Sequence, residues 1–185
     1  IKLIVAPDSG MLTIKNPELE DKAKRIRWFG IDRKAKLEDR WKNDIYEVGY
    51  KYQMTDISAM MAMETMKIFD KILIHQRNLF ETYKALLYDI PGITFIGDDD
   101  DHRSSCWIAT VLVERREDLK KKLREYGVES NCVHYRTDQY TVFGGRVSNC
   151  PNMDELESKY LVLPMHYYVT KEQVEYIANT IKGGW

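Results

Sequence analysis

The 185-residue sequence has few of the features that mark secreted, metal-binding or membrane-spanning proteins. Its three cysteines (Cys106, Cys132 and Cys150) are odd in number and form no CxxC pair. Neither a disulfide framework nor a zinc site is therefore expected. No apolar run is long enough to span a bilayer, and no secretory signal opens the chain. These absences predict a cytoplasmic protein with reduced thiols and no membrane contact.

An excess of charge of one sign is also missing. The 28 lysines and arginines balance 29 acidic residues, which gives a formal net charge of −1. The chain therefore has no basic surplus for binding nucleic acid or an anionic membrane. The acidic run Asp98–Asp101 lacks the spacing and the glycine of an EF-hand loop, so we predict a solvated turn and no metal.

The sequence pattern changes near residue 90. Before it, one helix is predicted from Asn16-Pro17 to about Gly30, a short strand at 11–14, and a long helix from Thr55 to about Tyr88. Asn16 and Thr55 are cap residues, and glycine commonly ends helices. Beyond it, we expect strands at 93–96, 106–113, 128–135 and 161–164, and helices at 116–126, 153–160 and from Thr170, which Gln173 helps to cap.

The first half of the long helix, 57–66, is apolar nearly all round. Such a helix is typically buried against two surfaces, and a chain of this size can hardly supply both. We expect a further domain or a partner subunit to cover it. The sequence also opens at Ile1 without a methionine and resembles the middle of a fold, so we expect sequence to precede it.

Three motifs occur along the chain in a fixed order. The first is Lys2 followed by a turn that ends in Gly10-Met11-Leu12. The second is Trp28-Phe29-Gly30 together with the later stretch Val48–Asp56, which contains Gly49-Tyr50-Lys51-Tyr52. The third is Val133-His134-Tyr135-Arg136 with Leu163-Pro164-Met165-His166. In order and spacing, these motifs resemble the DegT/DnrJ/EryC/StrS-type, pyridoxal-phosphate-dependent (PLP-dependent) sugar aminotransferases, the perosamine-synthase-like enzymes.

The resemblance implies a fold and a function. The chain would be an α/β (α+β) structure, the C-terminal portion of a PLP-dependent transferase of fold type I. Residues 1–90 would form the end of the large PLP-binding domain and a long connecting helix. Residues 91–185 would form a small C-terminal α/β domain with a short, mainly antiparallel sheet. The parent would be a homodimer that transfers an amino group from an amino acid, expected to be glutamate, to a nucleotide-linked keto sugar.

The resemblance also assigns candidate site residues. Lys2 matches the lysine that forms a Schiff base with PLP, and Lys51 lies where the family contacts the neighbouring subunit's cofactor phosphate. His134, Tyr135, Arg136 and Asp138 would line the sugar-nucleotide site. A lysine in that role attacks an aldehyde as a neutral amine and then shuttles a proton, while the pyridine ring accepts electrons.

Several positions depart from the family pattern, and alternative readings stay open. The turn at 5–10 lacks the family's paired threonines, Lys51 replaces an asparagine, and Gln53 replaces an arginine. Structurally, Lys2 and Lys51 could be solvated lysines, His134 a hydrogen-bonded core residue, and Arg136 with Asp138 a local ion pair. For the whole chain, the alternatives are an inactive fragment that only dimerises or binds ligand, and a dehydratase-like relative, against which Lys2 argues.

Overall fold

The computed structural model describes residues 2–35, 42, 44–97 and 102–185, which form two compact units. One unit comprises residues 4–67, and the other comprises 68–185 together with Lys2 and Leu3. The acidic run Asp98–Asp101, predicted as a turn, lies outside the described residues. The division near residue 90 into the end of a large domain and a small domain stays a prediction.

The described part of the unit of residues 4–67 contains two α-helices. A 3₁₀ turn at Pro17–Leu19 leads into α1, Glu20–Arg27, and the Asn16 side chain accepts a hydrogen bond from the Glu18 amide at 3.0 Å. Helix α2, Asp56–Met66, begins at Thr55, whose hydroxyl accepts from the Ser58 amide at 3.2 Å. Both predicted helix starts are confirmed. They were predictable because each depends only on a cap residue and the turn that follows it.

The long helix predicted over 55–88 is interrupted. Helix α2 ends at Met66, and α3 begins after Ile68, whose φ of −110° and ψ of 7° leave the helical range, and spans Phe69–Leu87. Just before the break, the Thr65 hydroxyl donates to the Met61 carbonyl at 2.8 Å. Back-bonding of this kind bends helices. The interruption was not predicted, because the apolar pattern continues through it.

The strand predicted at 11–14 is wrong. Met11 and Leu12 are 84% and 74% exposed, and no neighbouring strand pairs with them within the part of the chain described. An extended segment becomes a strand only when another backbone satisfies its hydrogen bonds. Sequence pattern alone does not supply that neighbour.

The unit of residues 68–185 is built on a three-stranded antiparallel sheet. Strands β1, Ile93–Phe95, β2, Ala109–Val113, and β3, Tyr160–Leu163, lie in the order 1-2-3. The register pairs Ile93 with Val113 and Ala109 with Leu163. The predicted short, mainly antiparallel sheet is confirmed.

Helices cover the buried face of this sheet. They are α3, α4 at Arg116–Glu125, and α6 at Lys171–Lys182, while the short α5 spans Pro151–Leu156. Along β2, burial alternates so that Ala109, Val111 and Val113 point into the core. The apolar positions of α3, α4 and α6 complete one hydrophobic core. No helix among the described residues is both long and apolar enough to cross a membrane.

Two predicted strands in this unit differ from the structure. The strand expected at 106–113 is shorter, because Cys106 has a φ of 50° and interrupts the extended backbone. The strand predicted at 128–135 is wrong, and only Asn131 forms an isolated bridge, with Val162. The Asn131 side chain accepts from the Cys132 amide at 2.9 Å, and such local bonds compete with strand pairing.

The last helix follows its predicted cap closely. The Thr170 hydroxyl accepts from the Gln173 amide at 3.3 Å, and the Gln173 side chain accepts from the Thr170 amide at 2.9 Å. This reciprocal pair is a capping box. Helix α6 therefore begins where the sequence indicates, and its buried face packs on α3.

Candidate active site

Lys2 lies against an aromatic ring. Its ammonium Nζ is 3.4 Å from the centroid of the Trp107 ring, a distance at which a cation is attracted by the face of an indole. The Lys2 side chain is exposed, and no carboxylate lies within ion-pair distance of it among the described residues. The amine is therefore held by a ring face without being neutralised by a salt bridge.

A strained corner of backbone presents Trp107. The preceding residue, Cys106, has a left-handed φ of 50° although it is not glycine, and its side chain is buried. Its amide donates to the Ser104 hydroxyl at 2.9 Å, and the Arg77 guanidinium on α3 donates to the Ser104 carbonyl at 3.0 Å. These bonds hold the corner in a conformation that a non-glycine residue rarely adopts.

His134 reaches the same indole. Its ring centroid is 5.7 Å from that of Trp107, with an interplanar angle of 70°. His134 and Tyr135 are both exposed, so His134 is not the buried core histidine that was one alternative. Two of the predicted site residues, Lys2 and His134, are thus brought to one tryptophan.

Arg136 is buried in an ion-pair network. Its side chain is 1% exposed, and its Nε and Nη2 atoms donate to the two carboxylate oxygens of Asp138 at 2.6 and 2.9 Å. Its Nη1 donates to Asp154 and lies 3.6 Å from Glu157. Nη2 also donates to the Val147 carbonyl at 3.2 Å. The predicted pair Arg136 and Asp138 therefore face each other.

This network sets the ionisation of its members. The Arg136 guanidinium, helped by the Val147 amide, lowers the pKa of Asp138 to about 2. Hydrogen bonds from Arg136 and then Arg146 lower the pKa of Asp154, and Asp138 raises the pKa of Arg136 in turn. At neutral pH Arg136, Asp138 and Asp154 are therefore charged. A substrate phosphate would have to compete with two carboxylates for Arg136.

The Lys51 motif lies in the unit of residues 4–67. Lys51 forms an isolated bridge with Trp28 next to the end of α1, and its side chain is exposed. Tyr50 and Tyr52 stack on each other with ring centroids 4.9 Å apart. Lys51 comes between these two residues in the chain. Because successive side chains of an extended backbone point to opposite sides, the Lys51 side chain points away from the stacked tyrosine rings.

Two glycines let the halves of this motif meet. A Cβ on Gly49 would lie 1.9 Å from the Gly30 amide nitrogen, and Gly30 has a left-handed φ of 76°. A side chain at Gly49 would therefore overlap the neighbouring backbone. The Trp28-Phe29-Gly30 and Gly49-Tyr50 stretches, distant in sequence, belong to one structural motif.

Two departures from the family pattern have visible consequences in this unit. Gln53, which stands where the family has arginine, accepts a hydrogen bond from the Arg33 guanidinium at 3.2 Å. In the turn after Lys2, Asp8 takes a left-handed φ of 42°, and the Pro7 carbonyl accepts from the Ser58 hydroxyl of α2 at 3.2 Å. The turn is thus attached to α2 without the family's threonines.

A cavity of about 580 Å³ opens beside the Pro164–His166 landmark. His166 is exposed, and its Nδ1 accepts from the Tyr168 amide at 3.2 Å. The cavity also contacts Glu129, Gln173 and Tyr176, and none of the predicted site residues is in its lining. We therefore place the candidate site at Lys2 and Trp107, where the predicted residues meet.

Sequence reasoning missed Trp107. Its position in the apolar stretch 106–113 indicates a core residue, and nothing in the spacing relates it to Lys2. The remaining predicted residue, Lys51, belongs to the other unit. Taken separately, the exposed primary amine of Lys2 fits a cofactor aldehyde, and the exposed cation of Lys51 fits a phosphate.

Comparison with known proteins identifies a family. A sequence profile of the DegT/DnrJ/EryC1/StrS aminotransferase family matches residues 1–182. GDP-perosamine synthase of Escherichia coli O157:H7 is 24% identical over 183 aligned residues, which cover 97% of this chain and 48% of that protein. The chain thus spans about half the length of the curated relatives it matches.

Solved structures give the same fold. The sugar aminotransferase CalS13 from Micromonospora echinospora superposes with a TM-score of 0.85 at 23% identity, over 93% of this chain and 46% of CalS13. Spr1654 from Streptococcus pneumoniae, in its PLP-form, superposes with a TM-score of 0.74 at 21% identity, over 91% of this chain and 45% of Spr1654. The predicted fold class, the C-terminal portion of a PLP-dependent transferase of fold type I, is confirmed.

Proposed function

The chain belongs to the DegT/DnrJ/EryC1/StrS aminotransferase family, and from this premise we propose that the whole protein transfers an amino group to a nucleotide-linked keto-deoxysugar. PLP would be the cofactor, and an amino acid such as glutamate the donor. The observation that carries the proposal is the match over residues 1–182, which begins at the Lys2 motif. The exposed amine of Lys2, which forms no ion pair with any described residue, supports it.

The proposed roles follow from the chemistry of each side chain. Lys2 would hold PLP, and its free amine would carry a proton to and from the substrate carbon. Lys51, an exposed cation, would neutralise part of the charge on the cofactor phosphate of the neighbouring subunit. When bound, PLP supplies an electron sink that stabilises charge on that carbon.

His134 and Tyr135 are proposed to contact the sugar nucleotide. Both are exposed, and His134 touches the ring against which Lys2 rests. Arg136 and Asp138 are proposed to support this segment, because each satisfies the other's charge. Direct contact of Arg136 with a nucleotide phosphate would require exchange of a carboxylate partner.

The proposal concerns a protein longer than this chain and built as a homodimer. The chain corresponds to about half of each relative. On α2, Ile57, Met60 and Met63 are 74%, 66% and 61% exposed. Apolar side chains in this number on one helix are typical of a surface that another domain or subunit covers. We propose a cytoplasmic location, in keeping with three free cysteines.

The second candidate function is an inactive fragment that dimerises or binds ligand without catalysis. It is favoured by the Arg136 network, in which the charges that the sequence predicts to bind substrate are already paired with each other. Full activity also needs a carboxylate beside the pyridine nitrogen, which the family resemblance assigns to the half outside this chain. The two candidates differ in whether Lys2 forms a selective adduct with PLP.

The test is to add PLP to the purified chain and record its visible absorbance. The sample is then reduced with borohydride, and the modified peptides are mapped by mass spectrometry. A distinct absorbance band with the adduct on Lys2, abolished by Lys2→Arg, supports the aminotransferase. The inactive fragment is supported if labelling is scattered over many lysines and if Lys15→Arg reduces it as much as Lys2→Arg does.

A further inference from the structure

Trp107 is related to Lys2 by geometry alone. The Lys2 ammonium lies over the face of its indole at 3.4 Å, and His134 contacts the same ring at an angle of 70°. Trp107 is only partly buried. Cys106, which precedes it, and Ala109, two residues after it, are both buried in the core. The ring is therefore presented outward, toward the amine.

We propose that Trp107 is a positioning residue that holds the free Lys2 amine whenever Lys2 is not bound to the cofactor. This inference rests on the proposed function, in which Lys2 alternates between a covalent and a free state. Lys2 in its free state is an ammonium or an amine on a flexible stem of four carbons. A ring face that retains the amine keeps it in place for the next proton transfer.

The physical basis is the quadrupole of the indole. The face of tryptophan attracts a cation more strongly than that of any other side chain, and the contact is effective within about 6 Å of the ring centroid. A covalently bound lysine nitrogen no longer offers a free ammonium. The attraction therefore stabilises the released state of Lys2, and by the same free energy it opposes re-attachment of the amine.

The backbone supports this role independently. Cys106 has a left-handed φ of 50°, which a non-glycine residue adopts only when its surroundings enforce it. The bonds from Arg77 and to the Ser104 hydroxyl supply that enforcement. Strain of this kind is concentrated at functional sites, and here its effect is to aim the indole at Lys2.

The experiment measures how fast Lys2 is acetylated by an N-hydroxysuccinimide ester, followed by peptide mass spectrometry at constant pH. Lys15, an exposed lysine in the other unit, is the internal reference. The variants are Trp107→Leu, which removes the ring, Trp107→Phe, which keeps a weaker face, and Trp28→Leu as the matched control. Trp28 also has a cation over its ring, Arg33 at 5.4 Å.

We expect Lys2 to react roughly two- to five-fold faster in Trp107→Leu than in the wild type, the range given by an exposed cation–π contact. Trp107→Phe should lie between them, and Trp28→Leu should match the wild type. Lys15 should react equally in all variants. Equal Lys2 rates in the wild type and in folded Trp107→Leu would overturn the inference.

A second measurement needs no variant at Trp107. Lysines of the wild-type chain are reductively methylated with ¹³C, and the Lys2 signal is assigned by its loss in Lys2→Arg. A methylated amine over an indole face should be displaced upfield from the Lys15 signal. A Lys2 signal at the same position as that of Lys15 contradicts the contact.

These outcomes are separable from those of the PLP adduct. If PLP is attached to Lys2 but the acetylation rate does not depend on Trp107, the inference fails and the proposed function remains. If the acetylation rate of Lys2 depends on Trp107 but PLP labels other lysines, the proposed function fails and the contact remains. Both results come from the same protein preparation.

Discussion

Replacing Tyr83 with phenylalanine tests how the sheet unit holds the Pro164–His166 segment. Tyr83 on α3 is 0% exposed, and its hydroxyl donates to the Pro164 carbonyl at 2.9 Å. Phenylalanine keeps the buried ring and removes only the donor. An unpartnered buried group costs about 1–3 kcal/mol. We expect Tyr83→Phe to lower the free energy of unfolding by about 2 kcal/mol.

For a chain of this length, that loss corresponds to a decrease in Tm of about 4–8 °C. The assay is thermal unfolding followed by circular dichroism, with urea unfolding as a second measure. The matched control is Tyr88→Phe, because Tyr88 at the end of the same helix is 80% exposed. A Tyr83→Phe protein as stable as Tyr88→Phe would refute the assignment of this hydrogen bond.

The stability difference between the wild type and Tyr83→Phe should also depend on pH. Burial raises the pKa of Tyr83 above its ordinary value of 10.0, because the ionised oxygen would lose its water. In the unfolded chain the phenol ionises near that ordinary value, while the folded chain keeps its proton. This contribution to stability is therefore present below pH 10.0 and is lost as the pH rises above it. The Tm difference between wild type and Tyr83→Phe should shrink in that range.

Three further predictions concern other parts of the molecule. Asp138→Asn should lower Tm by several degrees at pH 7. The Tm of this variant should converge with that of the wild type as the pH falls from 3.8 through about 2, where Asp138 itself becomes protonated. A Tm difference that stays constant over this range contradicts the prediction. Thr170→Ala should cost about 1 kcal/mol in urea unfolding through loss of the capping box, and no change would refute that role. Met60→Glu with Met63→Glu should reduce self-association of the chain in light scattering, whereas Lys71→Glu, which also adds negative charge, should not.

The helix starts were predictable because their causes are local. Asn16, Thr55 and Thr170 each accept a hydrogen bond from an amide two or three residues ahead. The order of the motifs also identified the family, and with it the antiparallel sheet. Each of these features depends on residues whose spacing is visible in the chain itself.

The failed predictions share a different cause. The apolar pattern at 11–14 and at 128–135 is suited to strands, but neither segment has a neighbour that completes a ladder in the described structure. The break between α2 and α3 follows Thr65, whose hydroxyl donates back to the Met61 carbonyl. Pairing and back-bonding are decided by three-dimensional neighbours, which periodicity does not contain.

The candidate site shows the same division between local and distant causes. Lys2, His134 and Arg136 were recognisable by their motifs, because residue type and order are properties of the sequence. That Lys2 rests on Trp107, that His134 touches the same ring, and that Arg136 is enclosed by carboxylates are properties of the folded chain. Ring contacts and ion pairs act over a few ångströms, so residues distant in sequence meet only after the sheet and its helices have packed.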